Sequence, residues 1–263
     1  ETNIEEQDTD NAQPISVIEA KPKKRKGLVV LMWLAALGPL MLILLMLIMA
    51  DDGKLPSLEE LENPKSNLAT NIYTADGEVM GTYFRENRTP AKYHELSPFL
   101  VKALISTEDE RFREHSGIDM RALARVVKGV LTGAEGQGGG STLSQQLAKL
   151  LFPRERLSKW GLVKRKFKEW IIATRLEKNY TKEEILTMYF NELDFLNLAV
   201  GINSASQVYF GEIPDSLKIE QAAMLVGMAK NPSIFNPLRR PDTTQHRRNV
   251  VLYQMKKNGH ISL

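Results

Sequence analysis

Hydrophobic and polar positions divide this chain into stretches of plainly different character. Gly27–Ala50 reads GLVVLMWLAALGPLMLILLMLIMA and contains no charged residue. As a helix it would reach about 36 Å, enough to cross a bilayer core of about 30 Å with some tilt. Pro39 interrupts the run, but proline is tolerated in membrane helices because neighbouring groups satisfy the freed backbone atoms. A buried core helix seldom stays uncharged for so long, and a cleaved signal peptide has a shorter apolar region nearer the start. Asn71–Phe84 instead alternates around Asp76-Gly77, which predicts a β-hairpin. From Ser97 onward apolar residues recur every three or four positions, the spacing of one helical face. That spacing predicts helices at Pro98–Glu110, Met120–Thr132, Thr142–Leu151, Trp160–Lys178, Lys182–Asn191, Ile202–Phe210, Ile219–Ala229 and Thr243–Asn258. Asp119 and Thr181 stand where N-caps are needed, and Asn179, Gly211 and Gly259 where helices stop. The predicted organisation is a disordered tail over residues 1–26, a transmembrane helix over 27–50, and a linker with Pro56 and Pro64 over 51–70. A mainly α domain follows over 71–263, with a small β-hairpin at its membrane-proximal start and no internal repeat.

Composition adds little: 43% hydrophobic and 25% charged residues over 263 positions suit one globular domain with appendages. The net charge of +3, by contrast, hides an asymmetry that matters. Glu1–Ala20 holds Glu1, Glu5, Glu6, Asp8, Asp10 and Glu19 with no Lys or Arg, and Lys21-Pro22-Lys23-Lys24-Arg25-Lys26 then reverses the sign. The basic cluster directly precedes the apolar span and Asp51-Asp52 follows it. The positive-inside rule therefore puts the tail in the cytoplasm and the rest of the chain outside. Absence of cysteine fits an exported domain that needs no disulfide. The first residue is Glu1 and not Met, which points to a trimmed or processed product. No Gly-x-x-x-x-Gly-Lys-Ser/Thr motif occurs, so a P-loop is excluded, and no nucleic-acid partner is expected.

Candidate chemistry lies in a few stretches. Glu108-Asp109-Glu110-Arg111-Phe112-Arg113-Glu114-His115-Ser116-Gly117 offers carboxylates and a histidine for acid–base work. Charged helix ends are usually just solvated. Glu108, however, follows the apolar Leu100, Val101, Ala103, Leu104 and Ile105, and leaving the core there would desolvate it and raise its pKa toward a general-base range. Phe112 and Ile118 bracket His115, which reads either as a proton carrier or as a satisfied structural group. Gly138-Gly139-Gly140-Ser141-Thr142 feeds a helix N-terminus, where free amides, the helix dipole and two hydroxyls suit a phosphate. The plain alternative is a flexible loop with an ordinary N-cap. In Lys164–Trp170, Arg165 and Glu169 project opposite an apolar stripe of Val163, Phe167, Trp170, Ile171 and Thr174, and Lys166 flanks it. Two cations and a carboxylate on one side suit a diphosphate, although a solvated face is commoner. Met120–Leu131, with Arg121, Arg125 and Lys128, reads as a basic amphipathic helix that lies in a membrane interface or packs on the core. Ile185, Leu186, Tyr189 and Phe190 read as core, with Tyr189 and Asn191 as lesser site candidates. Together with the apolar span, these stretches suggest an enzyme acting on a lipid-linked phosphate beside a membrane.

With these constellations in order, the sequence resembles the peptidoglycan glycosyltransferase family, glycosyltransferase family 51. Its members are membrane-anchored transglycosylases, found alone or as the first domain of class A penicillin-binding proteins. The opening motif of that family matches Glu108, Asp109, Phe112, His115 and Gly117. The glycine-serine-threonine motif matches Gly140, Ser141, Thr142, Gln145 and Gln146, with Lys149 a turn later. Arg165, Lys166 and Glu169 match the third motif, and Ile185, Leu186, Tyr189 and Asn191 the fourth. Tyr209-Phe210-Gly211, Asn231-Pro232-Ser233, Asn236-Pro237 and the Arg247–Gly259 helix also look like the family, so the resemblance covers Asn71–Leu263. Departures are Leu150 where asparagine is usual, Ser144 where threonine is common, and Ser206 in place of an alanine.

The resemblance implies a lysozyme-like α domain whose cleft opens toward the membrane, and a reaction that polymerises lipid II with release of undecaprenyl diphosphate. It implies Glu108 as the general base. Glu169 would orient the basic side chains or a divalent ion. Asp109, Phe112, His115, Ser141, Thr142, Gln145, Gln146, Lys149, Arg165 and Lys166 would bind substrate, the cations taking the donor phosphates. No cofactor is required, although a divalent cation (Mg2+ or Mn2+) is compatible. Implied partners are lipid II, the lipid-linked glycan chain, the bilayer, and a transpeptidase domain in cis or in trans. The implied location is the bacterial cytoplasmic membrane. A membrane-anchored lysozyme-like hydrolase and a non-catalytic wall scaffold are the competing readings. No Ser-x-x-Lys occurs, so the chain holds no penicillin-reactive serine of the usual type.

Overall fold

A computed structural model of the protein describes residues 70–76, 79–83, 87–133, 139–151 and 159–262, together with Val29, Met32, Trp33, 36–38, Met41 and Leu44. The chain forms two units, Glu1–Leu45 and Met46–Leu263. In the first, every described position is helical, and Val29, Met32, Trp33, Leu37, Met41 and Leu44 expose their apolar side chains. Among the described residues, no helix is long and apolar enough to cross a membrane. Most of Gly27–Ala50, the tail over 1–26, the linker as far as residue 69 and the Gly77 side of the expected hairpin turn lie outside the described residues.

The second unit is mainly helical. Strands β1 (Thr70–Tyr73) and β2 (Val79–Tyr83) pair antiparallel, with an irregularity between Ile72 and Tyr73. The short β3 (Asn87–Arg88) pairs parallel with β4 (Ala199–Val200). The helices are α1 (Pro98–Glu108), α2 (Met120–Thr132), α3 (Leu143–Leu151), α4 (Lys159–Asn179), α5 (Lys182–Glu192), α6 (Ile202–Phe210), α7 (Ile219–Ala229) and α8 (Pro241–Lys257). Their limits follow local chemistry. Ser97 caps α1 by accepting from the Phe99 amide, and Pro98 takes the first helical position, where no amide is needed. Asp119 accepts from the Arg121 and Ala122 amides at the start of α2. Thr181 and Glu184 form a reciprocal capping box at the start of α5.

Packing divides these helices into two groups. In one, α1, α7 and α8 lie against one another; in the other, α3 lies against α4 and α5. Fully buried side chains come from both, including Leu100 and Leu104, Leu143 and Leu147, Ile185 and Leu186, and Leu225 and Val226. The C-terminal end of α1 reaches from the first group into the second, with Glu108 touching both α3 and α8.

Two sequence expectations change here. Helix α1 stops at Glu108 and not Glu110, because Asp109 turns out of the helix (φ −157°, ψ 76°) and spends its carboxylate on the start of α3. The buried stripe of α4 is also not the expected one. Glu169, Ile172, Ala173 and Leu176 face inward, whereas Val163 and Thr174 are exposed and Phe167, Trp170 and Ile171 are half-buried. Among the described side chains of α4, Ile172 and Leu176 in its C-terminal half join the core. Its N-terminal half turns apolar groups outward and draws a charged cluster in, so periodicity alone misplaces its inner face.

Candidate active site

Glu108, the last residue of α1, has a side chain only 16% exposed. Each oxygen of its carboxylate has its own donor. Gln146 Nε2 on α3 donates to Oε2 at 3.2 Å, and Arg247 Nη2 on α8 to Oε1 at 3.3 Å. Gln146 is itself oriented, since Tyr189 Oη donates to its Oε1 at 3.1 Å and leaves the NH2 end for Glu108. Burial raises the pKa of the Tyr189 phenol and nearby Glu108 raises it further, so Tyr189 remains a donor at neutral pH. Burial lowers the pKa of Arg247, and the charge of Glu108 works against that shift.

The segment after Glu108 combines internal contacts with groups that line the same cleft, Asp109, Glu110 and Arg111. Asp109, 8% exposed, accepts from the Leu143 amide at 2.9 Å and meets His115 Nε2 at 3.0 and 3.1 Å. His115 is buried beside Asp109, which favours the structural reading of this histidine. Phe112 is fully buried in the core, edge-on to His115, with Lys182 Nζ 4.3 Å from its ring centroid. Phe112 lines neither of the clefts described below. Lys182 also donates to the His115 carbonyl at 2.7 Å and pairs with Glu177 at 2.7 Å. Gly117 closes the segment with φ +90°, where a Cβ would lie 2.9 Å from the Ala173 backbone of α4. That close approach brings the Gly117 carbonyl to Thr142 Oγ1 at 2.6 Å and to Gln145 Nε2 at 3.1 Å.

At the start of α3 two amides have internal partners, while Gly139, Gly140, Ser141 and Thr142 line a cleft. The Leu143 amide goes to Asp109, and Thr142, 2% exposed, accepts from the Gln145 amide while donating to Gly117. Further polar groups lie at its side. Lys166 Nζ donates to Ser141 Oγ at 2.9 Å and Gln145 Oε1 at 3.2 Å, and pairs with Glu169 Oε2 at 3.0 Å. Arg165 pairs with the other Glu169 oxygen at 3.3 Å. The three members of the third motif thus form one cluster, with Glu169 buried between two more exposed cations.

Two clefts meet here. One, of about 400 Å3, is lined by Glu108, Glu110, Arg121, Arg125, Ser141 and Lys257 among others. The other, of about 250 Å3, is lined by Ser141, Gln146, Lys149, Arg165, Lys166 and Glu169 among others. Ser141 lines both. An apolar groove formed by Leu162, Val163, Phe167 and Trp170 adjoins the second cleft through Leu162 and Lys166. Among the described residues, no group of three or more His, Asp or Glu side chains stands where it could hold a metal ion. Glu169 already gives one oxygen to each of two cations, so these residues do not fit a divalent ion at that position.

The family model described as transglycosylase matches residues 76–256, which span the motifs just described. The chain belongs to the transglycosylase family, the peptidoglycan glycosyltransferases. It is 39% identical to penicillin-binding protein 1A of Escherichia coli (strain K12) over 80% of this chain and 24% of that protein. Identity to penicillin-binding protein 1A of Pseudomonas aeruginosa is 36%, over 79% of this chain and 25% of that one. A crystal structure of penicillin-binding protein 1A from Haemophilus influenzae at 2.6 Å resolution is similar at 23% identity with a TM-score of 0.41. It covers 75% of this chain and 19% of that chain. The chain spans about a quarter of the length of the curated relatives it matches.

Within this transglycosylase each departure from the family pattern has a contact of its own, Ser206 by donating to the Ile202 carbonyl. Ser144 donates to Glu177, and Leu150 packs on the core. Sequence reasoning missed Arg247 as a site residue. The sequence marks it only as the start of the family-like Arg247–Gly259 helix, and it meets Glu108 through tertiary packing. Tyr189, a lesser candidate, does reach the site through Gln146, whereas Asn191 spends its amide on the backbone of Ala91.

Proposed function

We propose that the chain polymerises lipid II, with Glu108 as general base and the Arg165–Lys166 cluster holding the diphosphate of the donor. One observation carries the reading: adjacent residues of α3 serve the two halves of the reaction. Gln146 donates to Glu108, and Gln145 accepts from Lys166, beside clefts that share Ser141. An acceptor sugar in the first cleft would give its 4-hydroxyl proton to Glu108. The freed oxygen attacks the anomeric carbon of the donor chain as the bond to the diphosphate breaks. The electron pair leaves on undecaprenyl diphosphate and the α linkage becomes β. Expelling a diphosphate calls for cations where charge develops, and Lys166, Arg165 and Lys149 line the second cleft. Glu169 holds two of those cations in position. The adjoining apolar groove suits a lipid-linked substrate.

Asp109, His115, Thr142 and Gln145 act in this reading as supports, and Ser141 and Lys149 as groups that meet substrate. Residues 27–50 would anchor the chain in the bacterial cytoplasmic membrane, with the tail inside and the domain outside. The fold would be lysozyme-like, and a transpeptidase would lie in cis or in trans. A hydrolase needs a carboxylate or water placed for attack, but Glu169 is engaged by cations. Purified protein given lipid II should yield polymeric glycan, and given finished peptidoglycan should release no fragments. Fragments without polymer would establish the hydrolase instead.

A further inference from the structure

We propose that Arg247 is a positioning residue for Glu108, held by a seat that α7 and the loop after it provide. The inference rests on the reading of Glu108 as base. Arg247 arises on α8 and meets Oε1 of Glu108, at the end of α1, at 3.3 Å, with side-chain exposures of 12% and 16%. Its stem passes over Gly227 of α7, where a Cβ would come within 3.2 Å of Arg247 Cγ. Its guanidinium carbon stands 5.8 Å from the centre of the Phe235 ring. Among the described residues, Arg247 Nε is buried with no hydrogen-bond partner. The side chain therefore leaves one donor unused in the pose that brings Nη2 to Glu108.

The other carboxylate oxygen is held by Gln146, which Tyr189 orients. Glu108 is thus pinned at both oxygens from two separate helices. A base must meet its proton along one lone pair, and a misplacement of about 1 Å can cost about 10²-fold in rate. Arg247 is not among the described residues that line either cleft, and its action is assigned to its contact with Glu108.

The test uses lipid II polymerisation by the whole chain. Arg247→Ala should lower kcat by about 10²-fold at nearly unchanged KM. Millimolar guanidinium should restore much of that loss by refilling the vacated space. Gly227→Ala, which leaves the charge in place and shifts the stem, should lower kcat at unchanged KM. Arg248→Ala, one residue on in a side chain bonded to Asn249, should behave as wild type. A rise in KM that carries the loss would make Arg247 a substrate-binding group and overturn the proposal. So would a normal kcat, or a folded Arg247→Ala that guanidinium leaves inactive. Activity lost only in step with melting temperature in both Arg247→Ala and Arg247→Lys would assign the residue to the fold. Glu108→Gln separates the two levels. Full activity there defeats the reading of the base, whereas an inactive Glu108→Gln beside a normal Arg247→Ala defeats this inference alone.

Discussion

Glu108→Gln will lower the rate of lipid II polymerisation by at least about 10²-fold, the lower bound expected for loss of a general base. The amide keeps the shape of the side chain and loses its basicity. Stability should fall as well, because the largely buried Arg247 loses the charge of its carboxylate partner. The new amide can still accept from Arg247, but its NH2 group then faces the NH2 end of Gln146, which Tyr189 holds in place. One disrupted hydrogen bond of this kind costs about 1 kcal/mol. Binding of lipid II, measured by titration, should stay near the wild-type value. A variant retaining more than a tenth of the wild-type rate would remove Glu108 from the role of base.

The second large effect is expected at Lys166. Replacing it with alanine removes a cation from the place where the leaving diphosphate gains charge, and loss of one such donor costs about 10²–10³-fold in turnover. The effect will not be purely catalytic. Lys166 also ties Ser141 and Gln145 to Glu169, and without it the buried Glu169 keeps Arg165 as its one partner among the described residues. A fall of about 1–3 kcal/mol in stability should accompany the change, the cost of leaving a buried polar group short of partners. The distinguishing measurement is ligand binding. Affinity for a diphosphate-bearing lipid should drop far more than affinity for the same sugar without phosphate. Equal losses toward both would return the cluster to an ordinary surface role.

The helices were largely legible because their ends carry chemistry that acts within a few residues. Asp119 caps α2, the Thr181 box opens α5, and Gly211 closes α6 in a left-handed conformation. The motifs likewise pointed to residues that do come together, such as Arg165, Lys166 and Glu169. What each does was less legible, because burial is decided by tertiary packing. Asp109, Phe112 and His115 lie next to Glu108 in sequence, yet they brace α3 and the core. Thr142 donates to the Gly117 carbonyl and also lines the cleft of Glu108, a double placement that its sequence position does not reveal. The inner face of α4 was misjudged because Leu162 and Val163 are exposed while Glu169 is buried. Arg247 is marked in the sequence only as the start of a family-like helix, and its pairing with Glu108 is not legible there because the partner lies across the fold on α1.

The central claim is that Glu108 activates an acceptor hydroxyl while the cations beside it release a lipid diphosphate. The most direct test follows lipid II labelled at its anomeric carbon through reaction with the wild-type protein, reading the configuration of each new linkage and counting the undecaprenyl diphosphate released. The account predicts β linkages to the 4-hydroxyl and one lipid diphosphate released for each linkage formed. Retained α configuration, or diphosphate released with free reducing sugar and no new linkage, would contradict it.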